Sequence, residues 1–335
     1  MRARSLALLA AAIAGVSAVA ATPVGYVVSG SIKGPDGGWD YASVDPVTRR
    51  LYVAHGGAVT AVDLATGMVT PVLAGARRPH EVLPIPGSGL LLETDGDTGT
   101  ARLLDAKTGA EKASIKVGEN PDAAIWDEKR KQAIVMNARS GTIMTIDPAR
   151  AAVTGTVTVL PGLEFAAIDK KGLLYVNNED RGQIAVIDLD RRALLGWIDL
   201  KGCEEPSGMA YAPTADRIVS ACANGIAAVI DPNTRKLVGT LPIGKGPDAV
   251  IGDRARKRLF IPSGGDGTLA VLAETRGKVS LIGTVPTEIS ARTGALDPND
   301  GKLYLPAARM LPPTQPGARR QAVPGSFHLI VVSPR

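Results

Sequence analysis

Residues 122–159 read DAAIWDEKRKQAIVMNARSGTIMTIDPARAAVTGTVTV, four short β-rich runs separated by charged or Gly-containing turns. Asp122–Trp126, Gln132–Asn137, Thr142–Ile146 and Gly155–Val159 read as strands a to d, with residues 127–131 and 147–152 as two of the turns. The third run ends in an apolar–Asp pair that recurs at Val62-Asp63, Leu104-Asp105, Ile146-Asp147, Ile187-Asp188 and Ile230-Asp231, with the aspartates 42, 42, 41 and 43 residues apart. The phase continues at Leu272-Ala273 and, after a longer gap, at Val332-Ser333, so seven units fit. A period of about 40–45 residues with four strands per unit is the mark of a β-propeller, whereas a helical solenoid needs a sustained 3.6-residue apolar period that is absent here. The expected fold is all-β, a seven-bladed β-propeller. The repeated Asp precedes a short turn, where its carboxylate is expected to cap backbone N–H groups rather than do chemistry.

The chain ends supply the closure. The last unit offers strand a around Ser290–Leu296, strand b at Leu303–Pro306 and strand c at Phe327–Val332, and then runs out. Tyr26–Lys33, followed by Gly34-Pro35-Asp36, matches the strand d pattern of Thr240–Ile243 and is expected to complete the seventh blade, leaving no open sheet edge.

The composition agrees with a folded, turn-dense chain. Of 335 residues, 45% are apolar and 21% charged, with 38 Gly and 24 Pro, which excludes disorder as the main state. Two cysteines, neither in CxxC or CxxCH, exclude a disulfide scaffold, a zinc ribbon and covalent c-type haem. Arg2 and Arg4, the apolar stretch Ser5–Val19 and the small residues Ala18-Val19-Ala20 form a signal-peptide pattern over 1–20, leaving 21–335 as a single domain. No second apolar span follows. The expected product is a monomer without a transmembrane segment, periplasmic or secreted, where disulfides are permitted.

The phrases LYVAH at 51–55 and LYVNN at 174–178, with repeated VID and VGT runs, resemble the YVTN-repeat propellers, also called YncE-like proteins. The resemblance spans almost the whole mature chain and implies fold rather than activity. The family is functionally mixed, with members linked to single-stranded DNA binding and to cell-surface roles. Unit two, GLLLET at 89–94, departs from the phrase.

In a propeller the d-to-a and b-to-c loops share one face, here the top, and strand a lines the channel. Aligning strand a starts puts Asp40, His80, Asp122, Glu164, Ser207, Asp248 and Ser290 around the top mouth, with His55, Glu93, Asn137, Asn177 and Asn178 beside them at the ends of strand b. Two readings stand: a solvated lining, or a ligand or metal site in which carboxylates and an imidazole hold a divalent cation such as Ca²⁺ or Zn²⁺. No HExxH or other compact metal motif is present, and no cofactor is assigned with certainty. Cys203 and Cys222 fall on the same face, so a disulfide is geometrically plausible, and the resemblance supports the pairing through GCEEPSG at 202–208 and SACANG at 220–225.

On the opposite face the a-to-b turns carry Arg49-Arg50, Lys129-Arg130-Lys131, Lys170-Lys171 and the group Arg254, Arg256, Lys257 and Arg258, an anion-binding candidate. Setting aside Arg2 and Arg4 leaves 36 Lys plus Arg against 33 Asp plus Glu, a charge of +3 rather than +5. Aromatics are only 4%, few for a nucleic-acid binder that stacks bases, and Trp39, Trp126 and Trp197 serve only if exposed. Residues 308–326, ARMLPPTQPGARRQAVPGS, lengthen the last gap from about 42 to 60 and read either as a cationic lid or as a surface excursion.

No nucleophile–base–orienter set is legible, so no catalytic residue is assigned. The first expectation is a non-catalytic module for a protein or small-molecule partner. The alternatives are a metal-dependent lactonase or hydrolase and, less favoured, single-stranded nucleic-acid binding.

Overall fold

Seven four-stranded antiparallel sheets form the molecule, each in the order a-b-c-d outward from the channel. The computed structural model describes residues 25–313, 315 and 320–335; the expected signal segment 1–20 lies outside them, as do residues 314 and 316–319 of the insertion. No helix among the described residues is long and apolar enough to cross a membrane.

Blade three carries strands Pro121–Asp127, Gln132–Asn137, Thr142–Asp147 and Ala152–Thr158, close to the sequence reading. The strand b runs are buried at nearly every position, including Arg50–His55, Gln132–Asn137 and Leu173–Asn178. Alternation is lost because both faces of strand b lie against neighbouring blades, which explains continuous phrases such as IVMN and LYVNN. The outer strand Lys236–Pro242 is mostly solvent-facing.

The core lies between blades. Tyr52, Val59 and Ala61 pack on Val82, Leu91 and Leu104 across the first boundary. Leu51, Val53 and Val62 pack on Tyr304 and Leu329 where blade one meets blade seven. Seven such clusters occupy the seven boundaries, so every blade is held from both sides. Each fully buried Leu or Val contributes about 1.5–3 kcal/mol, so the wedges dominate the favourable side of folding.

The repeated aspartates do cap turns. Asp63 Oδ1 accepts the N–H groups of Ala65 and Thr66 at 2.9 Å, and Asp105 Oδ1 those of Lys107 and Thr108 at 3.1 and 2.9 Å. Asp147, Asp188 and Asp231 do the same for Ala149, Arg191 and Asn233. These bonds, that of Thr108 foremost, hold the Asp105 carboxyl down at about 2. The Tyr of the LYV phrase ties blades together: Tyr52 Oη donates to Ala106 O at 3.1 Å, and Tyr175 Oη lies 3.2 Å from Pro232 O and from Asp169 Oδ2.

The ring closes as the sequence implies. Tyr26–Lys33 pairs antiparallel with His328–Pro334, from Tyr26 opposite Pro334 to Lys33 opposite His328, giving blade seven its outer strand. The disulfide Cys203–Cys222 joins the loop before blade five to the end of that blade's strand b, with Cα atoms 5.3 Å apart.

Replacing Tyr52 or Tyr175 with Phe removes one buried inter-blade hydrogen bond with little change in volume. Each is expected to lower stability by about 1 kcal/mol in urea unfolding monitored by circular dichroism.

Candidate functional site: the top mouth of the channel

Side chains reach the mouth through an irregularity repeated at the start of strand a. The pairing of strands a and b slips between Trp39 and Ala42, Pro79 and Val82, Pro121 and Ala123, Leu163 and Ala166, and Pro206 and Met209. Each slip brackets Asp40, His80, Asp122, Glu164 or Ser207, and a bulge of this kind redirects a side chain while ending the regular ladder. In blade six the isolated bridge between Pro247 and Ser263 precedes Ile251–Asp253, leaving Asp248 in the same gap.

The seventh place belongs to Arg292, not to Ser290. Ile251 pairs with Phe260 and Ala295 with Tyr304, so the equivalent of Asp248 lies three residues before Ala295. Ser290 sits two residues earlier at φ 93°, donating its Oγ to Ala308 O at 2.9 Å and anchoring the start of the insertion. Blade seven lacks the Pro that marks the ring position in most other blades, which is why strand starts alone misplace it. The common Asp253 and Asp297 at the end of strand a carry the correct register.

The converging charges alternate. His80 Nδ1 lies 2.6 Å from Asp40 Oδ2 and 3.3 Å from Asp122 Oδ1. Arg292 Nε is 3.1 Å from Asp248 Oδ2, and its Nη2 is 4.0 Å from Asp40 Oδ1. The order Asp122, His80, Asp40, Arg292, Asp248 therefore places a basic group between successive carboxyl groups. Ser207 is turned to structural use, donating to Pro247 O at 2.9 Å.

Burial and mutual repulsion load this mouth with protons. Burial, followed by the charge of Asp40, pushes Asp122 up to about 7, and burial raises Asp248 to about 6 despite Arg292. Glu164 is held well above the usual carboxylate range by burial and then by Asp122 and Asp248. Burial by itself would lower His80, but the hydrogen bond to Asp40 and the charge of Asp122 outweigh it and raise the imidazole. Beneath the ring Tyr41, 4% exposed, lies against Phe165 with ring centroids 5.1 Å apart. The two line a second, largely apolar chamber of about 340 Å³ that runs to the turn residues Pro46 and Pro298. Glu81 faces this chamber, and burial pushes its carboxyl well above the ordinary range.

The strand b termini are used within the fold. His55 stacks on Phe327 at 4.1 Å, Glu93 accepts from Arg102 Nε at 2.6 Å, and Asn137 Oδ1 accepts Gly118 N–H at 3.0 Å. Asn177 donates to Ser207 O at 2.7 Å and accepts from Ser220 Oγ at 2.8 Å, while Asn178 donates to Pro161 O at 2.6 Å. These groups tie loops to blades and do not join the mouth cluster.

The bottom turns are also internally matched. Arg256 Nη1 is 3.0 Å from Asp253 Oδ2, and Arg258 donates to Lys257 O at 3.1 Å. Arg130 bridges Asp127 and Asp190 at 2.7 Å each, and Lys170 meets Asp216 at 2.7 Å across a blade boundary. Arg254 and Lys257 are exposed without an ion pair among the described residues.

Above the ring opens a cleft of about 770 Å³ lined by Trp39, Arg78, Ser290, Arg292, Met310 and Arg320. The insertion contributes to its wall: Met310 bridges Ala322, and Leu311 N–H donates to Gln321 O at 2.8 Å. Sequence reading passed over Arg78, which forms a pair with Arg77 just before Pro79 and His80, and Arg292, which belongs to no basic run. Their loop positions next to the ring were the available signal.

Asp122 and Asp248 retain protons in the folded protein at pH values where the unfolded chain, with Asp near 3.8, has lost them. Their contribution therefore falls as pH rises from about 4 to about 7, and the raised His80 adds a loss in the same direction above its ordinary value. Calorimetry is expected to show a lower Tm at about pH 8 than at about pH 5, with Asp122→Asn flattening the slope and raising the value at the upper end. A Tm that climbs across this interval in the parent protein would contradict the assignment.

No protein-family model matches the chain, and no curated protein does. Among solved structures, a chain of Kuenenia stuttgartiensis hydrazine synthase aligns at TM-score 0.69 and 19% identity, covering 81% of this chain and 93% of its own. A chain of a mitotic checkpoint complex aligns at 0.72 and 14%, covering 99% of each, and U3-55K at 0.73 and 9%, covering 91% and 98%. At these identities the likeness is one of fold, and it places the chain among the β-propellers.

Proposed function

We propose that this chain is an exported propeller of the YVTN-repeat kind that works as a non-catalytic binding module, with the top face as its ligand surface. The carrying observation is the contrast between the two rims. Most bottom cations are paired with carboxylates or hydrogen-bonded to turn carbonyls of the chain itself, whereas the top combines the charge ring with an open cleft. The apolar segment after Arg2 and Arg4, together with the disulfide, supports a place in the periplasm or outside the cell. Nucleic-acid binding through the bottom turns draws little support from Arg256 and Arg258, which are engaged locally.

A second reading has one specific observation in its favour. Asp40, His80 and Asp122 offer ligand atoms that all lie within 4.8 Å of one another, a donor set suited to a divalent cation of the zinc kind or, with the carboxylates dominant, to calcium. The residues fit such an ion only after the hydrogen shared by His80 Nδ1 and Asp40 leaves. Bound there, the ion would supply Lewis acidity for ester or lactone hydrolysis.

The two readings separate by melting the mature oxidised protein after EDTA treatment, then with Ca²⁺, Zn²⁺ or Mg²⁺ at about pH 6 and about pH 8. The binding-module reading expects no ion-specific rise. A rise that is larger at the higher pH and lost in Asp122→Ala would put the hydrolase reading first. The top-face assignment is tested by a small-molecule melting screen, whose hits should be lost in Arg292→Ala and kept in Arg256→Ala.

A further inference from the structure

The top cleft carries a statement about ligand chemistry, resting on the assignment of that face as the binding surface. Arg78 is exposed and has no ion pair among the described residues. Arg292 engages Asp248 through Nε, leaving most of its five N–H donors uncommitted. Arg320 adds a third guanidinium. Trp39 lines the same cleft. Trp39 and Met310 also give the cleft apolar surface, while its volume falls within the usual range for small-molecule sites.

We infer that the cleft binds a small organic oxyanion, a carboxylate or phosphate monoester carried on a planar or apolar body. Arg78 and Arg292 grip the oxyanion, and the body lies against Trp39 and Met310. Planar guanidinium forks match the paired oxygens of such groups and hold them more selectively than ammonium groups do. The carboxylates below do not cancel the attraction. Asp40 and Asp248 are matched by His80 and Arg292, burial pushes Asp122 up to about 7, and burial holds Glu164 well above the usual carboxylate range.

Two substitutions probe the cleft without touching the ring. Arg78→Ala removes a guanidinium from an exposed site. Gly38→Leu adds bulk at a cleft-lining residue with ordinary backbone angles, where a Cβ meets nothing within 4 Å. Titration by NMR or calorimetry with benzoate, phenyl phosphate and the neutral benzyl alcohol is expected to show at least one oxyanion binding at least ~10-fold tighter than the alcohol. Arg78→Ala should weaken that binding about tenfold, Arg78→Lys should restore part of it, and Gly38→Leu should abolish it. Oxyanions that bind no better than the alcohol, or whose affinity is unchanged by both Arg78→Ala and Gly38→Leu, overturn the inference. If the alcohol alone binds and Gly38→Leu removes it, the oxyanion chemistry falls while the top face stands as the ligand surface. Binding lost in Arg256→Ala instead defeats both.

Discussion

The antiparallel pairing of Tyr26–Lys33 with His328–Pro334 is the constraint on which the remaining geometry depends. A propeller blade is a small sheet with apolar faces, and it is stable only when both faces are covered. Sequential stacking covers one boundary after another but leaves two open faces and a gap between first and last blades. Building the seventh sheet from both ends of the chain closes that gap. It creates the boundary where Leu51, Val53 and Val62 meet Tyr304 and Leu329. Closure also makes seven strand starts converge on one axis, so residues as distant as Asp40 and Arg292 come within 4.0 Å.

Convergence sets an electrostatic problem, and the chain meets it by alternation. Asp40, Asp122 and Asp248 at one mouth would repel one another, most strongly where burial has removed water. His80 and Arg292 stand between them, and burial, followed by the repulsion that remains, raises Asp122 and Glu164. The mouth is thus a charge cluster whose state follows pH. Tyr41 and Phe165 separate it from the apolar lower chamber, so the two halves of the channel offer different chemistry.

The two rims divide the labour. Along the bottom, Arg130 with Asp190 and Lys170 with Asp216 link adjacent blades, and buried aspartates such as Asp127 and Asp253 cap the turns that carry the arginines. Charges there serve the joints. At the top, the loops are tied by Asn137, Asn177, Asn178 and the disulfide, which frees Arg78, Arg292 and Trp39 to face an open cleft. The insertion after blade seven strand b walls that cleft on one side.

Much of this architecture is local and periodic, and for that reason the sequence by itself determined it. The 42-residue phase, the continuous apolar strand b runs, the capping aspartates and the matching end segments Tyr26–Lys33 and Phe327–Val332 each follow from short-range rules of strand, turn and burial. The gathering of Asp40, His80, Asp122, Glu164 and Asp248 was legible too, because one position in each repeat is projected on one axis. What failed was the register where a repeat departs from its own pattern: without a Pro before it, Arg292 yielded its place to Ser290. The roles of His55, Glu93 and the asparagines were equally hidden, since whether a polar strand end faces a channel or a neighbouring loop depends on contacts across blade boundaries. Only the tertiary structure decided which charges are neutralised and which stay open, because ion pairs such as Arg130–Asp190 and Arg49–Asp297 join turns from different blades, and their partners are chosen by the ring's closure rather than by neighbourhood along the chain.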